Sequence, residues 1–92
     1  MTDETEPAGG LDARRRRIHF RVRRRGMVEL DLLLGRFSDA RLAALSPDDL
    51  DRFEKLLEVP DQELFRWITE NDVPDGHRSA LMSALIAFHE RR

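Results

Sequence analysis

The sequence predicts an all-α protein, a small five-helix bundle behind a disordered N-terminal tail. Three observations predict it. Met27, Leu30, Leu34 and Phe37 stand at i, i+3, i+7 and i+10, one stripe of a helix widened by Leu33. "SPDD" at 46–49, Pro60 and "NDVPDG" at 71–76 are helix starts and stops at short intervals. No segment reads convincingly as a sheet, and five short helices with short connections make a bundle.

The elements follow in order. Residues 1–12 are assigned to the tail, being polar and broken by "PAGG", and residues 13–92 to one helical domain. From Leu11 to Arg25 the period is ambiguous. Ile18, Phe20 and Val22 alternate like a strand, while Leu11, Ile18 and Val22 share a helical face. Arginine favours helix and no hairpin turn follows, so a helix is expected. The second helix carries the Met27 stripe and is expected to run on through "SDARLAAL" to Leu45. Ser46 then caps a third helix, with Pro47 at its first position and Asp48 and Asp49 near its positive end. Leu50, Phe53, Leu56 and Leu57 are its apolar face, and Pro60 ends it. Asp61 is the expected cap of a fourth helix that buries Leu64, Phe65, Trp67 and Ile68. The fifth is expected to carry His77, Leu81, Ala84, Leu85 and Phe88 on one face.

Composition excludes several functions. A chain of 92 residues is one small domain. With no cysteine there is no disulfide framework, thiolate metal site or cysteine nucleophile. No apolar run approaches the roughly 20 residues of a membrane span. The start "MTDETEPAGG" is acidic and resembles neither a signal nor a transit peptide, so a cytoplasmic protein is expected. His19, His77 and His89 have no metal-ligand spacing, and no glycine loop follows a strand to cradle phosphate. No serine sits in a nucleophile elbow. These absences point to a binding protein and not to an enzyme.

The net charge of -2 conceals an asymmetry: residues 11–25 hold eight arginines and one acid, the rest of the chain being acidic. The cluster has three readings: a solvated helix face, a phosphate-binding patch, or a docking surface for an acidic protein. On composition the three stand level, and the second leaves an antitoxin-like or nucleic-acid-associated regulator as the alternative function.

The stretch "RRGMVELD" resembles the RGxxE signature of the FAD assembly factor SdhE family. The likeness continues in "RRRRIHFRVRRRGMVELDLLLGRF" and in "SPDDLDRFEKLLEVPDQELFRWI", and covers roughly residues 14–90. The resemblance implies a five-helix fold and settles residues 18–22 as helix. It implies a non-enzymatic assembly factor that binds the flavoprotein subunit of succinate dehydrogenase, and in some bacteria that of fumarate reductase. It further implies that FAD becomes covalently attached to that partner, with none bound stably by the factor itself. Nucleic acid and membrane insertion are not implied, and a monomer is expected. Carried onto this chain, the motif residues are Arg25, Gly26 and Glu29, extended by Arg24, and together they form the expected partner-binding patch. Gly26 suits a positive φ between two helices, and Glu29 suits the first turn of the second.

Overall fold

The computed structural model describes residues 7–91, and the side chains of residues 10–91. Five α-helices follow one another: α1 Pro7–Arg21, α2 Val28–Arg41, α3 Pro47–Leu56, α4 Asp61–Glu70 and α5 Ala80–Glu90. Two short 3-10 turns, Leu42–Ala44 and Asp75–His77, precede α3 and α5. Among the described residues there is no strand.

Each start has a local cause. Ser46 takes an extended conformation and its Oγ accepts the Asp49 N–H at 3.1 Å, which caps α3. Ser79 does the same for α5 through the Met82 N–H, also at 3.1 Å. α4 ends at Asn71, which is left-handed (φ 53°), a conformation that asparagine tolerates better than most residues.

The core is a single cluster. Ile18 of α1, Val22 just after it, Leu30, Leu34 and Phe37 of α2, and Leu50 and Phe53 of α3 are fully buried, together with Leu64 of α4 and Leu85 of α5. Phe37 sits at its centre, edge-on to Phe53 (centroids 5.9 Å apart) and to Phe88 (5.5 Å). α1 lies across α2, α3 and the first 3-10 turn, and α5 closes the bundle against α2, α3 and α4. The Arg23 side chain lies over Gly35 of α2, and a β-carbon there would meet only that side chain, at an ordinary contact distance of 3.5 Å from Cζ.

Four expectations need correction. Residues 7–12, assigned to the tail, belong to α1, because the helix extends its buried face back to Leu11, which packs against the core. Residues 1–6 lie outside the described residues. α2 ends at Arg41 and tightens into the 3-10 turn, which keeps Leu42 buried while Leu45 turns extended ahead of the Ser46 cap. Asp61 is the first residue of α4, not its cap. Pro60 holds the cap position, and the Asp61 carboxylate faces Arg25. His77 lies before α5, in the second 3-10 turn, where its ring tilts onto Trp67 at 4.9 Å.

Candidate functional site

Arg24, Arg25 and Gly26 lie in the turn between α1 and α2, and Glu29 lies in the first turn of α2. α1 winds down through bonds from the Arg23 N–H to the Phe20 carbonyl (3.3 Å) and from the Arg24 N–H to the Arg21 carbonyl (3.1 Å). Gly26 then reverses the chain at φ 95°. A β-carbon added there would meet no heavy atom within 4 Å, so glycine is required by the backbone angle and the space beside it is open. Asp31, in the first turn of α2, accepts the Arg25 N–H at 3.1 Å and fixes the turn from the other side.

The four patch residues do different things. The Arg25 side chain is only 9 % exposed and points inward. Its Nε donates to Asp61 Oδ1 at 2.7 Å, its Nη1 to the Leu57 carbonyl at 2.7 Å, and its Nη2 to the Val59 carbonyl. Those carbonyls belong to the end of α3 and the loop after it, where a helix leaves acceptors without partners. Arg25 therefore bolts the α1–α2 turn to the α3–α4 junction. Arg24 points outward, its Cζ 4.1 Å above the Phe20 ring. Gly26 and Glu29 are exposed. Glu29 makes no hydrogen bond or ion pair among the described residues, and it lines a groove of about 170 Å³ with Leu32, Leu33, Arg36, Phe65 and His89. Arg25 is thus held apart from the exposed three, and Glu29 is not its mate.

The rest of the arginine cluster is divided in the same way. Arg14 binds Glu54 of α3 through Nε (3.1 Å) and Nη2 (2.8 Å), and also Asp51. The Arg14 hydrogen bond, helped by its charge, holds the Asp51 carboxyl below the usual carboxylate range. Arg15 donates to the Leu42 and Leu45 carbonyls, Arg21 to Glu58 at 3.0 Å, and Arg23 to Asp39 at 2.7 Å. Arg16 and Arg17 have no such partner among the described residues, and Arg24 has only its aromatic one.

Sequence reasoning missed Phe20, Asp31 and the partnership of Asp61. Phe20 had a visible signal, a phenylalanine among arginines that lies off the helical face shared by Leu11, Ile18 and Val22. Asp31 and Asp61 had none, since an acid near a helix start reads as a dipole partner whatever else it binds.

Among the described residues no helix is long and apolar enough to cross a membrane. No group of three or more histidine, aspartate or glutamate side chains is placed there to hold a metal ion.

The chain is similar to "Succinate dehydrogenase assembly factor 2, mitochondrial" of Debaryomyces hansenii, 41 % identical over 80 residues, which is 83 % of this chain and 56 % of that protein. It is similar to the protein of the same name in Candida glabrata, 34 % identical over 87 residues, 89 % of this chain and 57 % of that protein. It is also similar to "FAD assembly factor SdhE" of Acetobacter pasteurianus, 43 % identical over 58 residues, 63 % of this chain and 53 % of that protein. The chain thus spans about half the length of these curated relatives. No solved structure matches it significantly. A family model described as "Flavinator of succinate dehydrogenase" matches residues 16–89, nearly the whole of the helical domain from the middle of α1 to the end of α5. The chain belongs to the family of succinate dehydrogenase flavinators.

Proposed function

We propose that this protein binds the flavoprotein subunit of succinate dehydrogenase and promotes covalent attachment of FAD to it, as an assembly factor and not as the catalyst of a reaction on its own substrate. The family match over residues 16–89 carries this reading. The exposure of Arg24, Gly26 and Glu29 around one turn supports it, because a docking patch must be open, and the free space beside Gly26 admits a partner's backbone.

The division of labour follows from the chemistry available. The flavin and the partner supply the reacting groups. This chain supplies a rigid polar surface, and its leverage lies in ordering mobile parts of the partner around the reacting pair. Arg25 makes that surface rigid from behind, while Arg24 and Glu29 meet the partner.

The test is to mix the chain with flavin-free flavoprotein subunit and FAD, recover the complex, and read flavin fluorescence of the denatured subunit in a gel. The expected result is covalent fluorescence that rises with the chain present and falls strongly with Glu29→Ala. No recovery of the subunit and no rise in fluorescence would overturn the reading.

A further inference from the structure

The structure assigns a second docking surface, resting on the function proposed above: the groove between α1 and the 3-10 turn Leu42–Ala44 takes an acidic segment of the flavoprotein subunit that carries an apolar anchor side chain. The groove is shallow and open and holds about 620 Å³. Its floor is the Phe20 ring with Leu42 and Ala43, and its rim includes Arg16 and Arg24.

Three observations select the occupant. First, Phe20 is 57 % exposed, one of three large apolar side chains left exposed among the described residues. The Arg24 guanidinium over its face holds the ring, so little freedom is lost when a partner covers it. Second, no acid lines the groove. The acids nearest in sequence to its walls, Asp12 and Asp39, already face Arg15 and Arg23. Arg16 and Arg24 have no carboxylate partner among the described residues, which leaves two cationic positions unneutralised over an apolar floor. Third, the walls are fixed. Arg15 is tied to the Leu42 and Leu45 carbonyls, and Arg23 to Asp39 and the Gly35 carbonyl.

A cationic rim over an apolar floor fits carboxylates flanking an aromatic or aliphatic side chain. A nucleic-acid strand fits less well, because it needs a run of stacking rings and a longer row of cations than this groove offers. Arg24 also lines a neighbouring groove with Phe20, Arg25 and Asp61, so the surface is continuous with the α1–α2 turn.

The experiment measures affinity for the flavin-free flavoprotein subunit by calorimetry at several salt concentrations, and follows the Phe20 ring and Ala43 methyl signals by NMR. Phe20→Ala is expected to weaken binding about tenfold or more, as loss of an interface anchor does. Arg16→Glu is expected to weaken it about fivefold and to flatten its salt dependence. Both variants should melt like the parent, since both side chains are exposed. Unchanged affinity for both variants, with unshifted Phe20 and Ala43 signals, would overturn this inference and leave the proposed function standing, with Glu29→Ala still weakening the complex. If the parent chain forms no complex at all, the proposed function fails and this inference with it. A single-stranded DNA oligomer that binds the groove with the same Phe20 dependence, where the subunit shows none, would also overturn it.

Discussion

Arg25 and Glu29 stand four positions apart yet behave oppositely as residues. Arg25→Ala would leave the Asp61 carboxylate and the Leu57 and Val59 carbonyls without their donor, in a place where the arginine side chain is 9 % exposed. Breaking a largely buried pair of this kind costs about 3 kcal/mol. Lysine cannot restore it, because one ammonium does not reproduce three donors in a planar fork. Chemical denaturation should therefore show a clear fall in the midpoint for Arg25→Ala and a smaller one for Arg25→Lys. Glu29→Ala removes only a first-turn carboxylate exposed to solvent, about 0.5 kcal/mol. Its melting curve should stay near that of the parent while flavin attachment to the partner falls. Unfolding of Glu29→Ala would make that carboxylate structural. Gly26→Ala falls between the two. Its cost is a left-handed backbone angle, about 1–2 kcal/mol, with no clash added because nothing lies within 4 Å of the new carbon.

At the scale of elements, what the sequence shows is whatever is local. The Ser46 cap, Pro47 at the first position and the stripe Leu50–Phe53–Leu57 all lie within a dozen residues, and α3 forms as read. The end of α2 was harder, because "LAAL" keeps apolar character while the backbone tightens from α to 3-10. The roles of the arginines were not legible, because Arg14 meets its acids 37 and 40 positions away and Arg25 meets Asp61 36 positions away. Only tertiary packing brings them together, α1 against α3 for Arg14 and the α1–α2 turn against the α3–α4 junction for Arg25. That α1–α3 contact gives a pH dependence. The Asp51 carboxyl is held below its ordinary value by the Arg14 hydrogen bond. A carboxyl depressed in the folded state stabilises fully above its unfolded value, about pH 4, and loses the contribution as pH falls through the folded value. Melting temperatures taken from pH 7 down to 2 should show the parent and Asp51→Asn separated at neutral pH and converging in acid. The separation should be small, since Asp51 is exposed. A gap that stays constant over the whole range would show that the contact does not depend on the carboxylate's charge.

For the whole molecule, eight arginines in fifteen residues invite the idea of a nucleic-acid binder, and the fold removes most of its basis. Arg14, Arg15, Arg21, Arg23 and Arg25 are bound to carboxylates or backbone carbonyls of the chain itself. Arg16, Arg17 and Arg24 are left to meet phosphates, while α3 presents Asp48, Asp51 and Glu58 follows it, all exposed. Counterion release counts only the phosphates that are actually neutralised. Three arginines give a slope of log affinity on log salt near −3, against about −7 if all eight took part. Titration of a random duplex between about 50 and 200 mM salt should therefore show weak binding with the shallow slope, and almost none at the upper end. Arg16→Glu should abolish what remains, while Arg14→Gln should leave DNA affinity unchanged and lower the melting temperature instead. A steep slope, or micromolar binding that survives at physiological salt, would mean that the internal ion pairs open in favour of phosphate, and the cluster would then be a nucleic-acid surface after all.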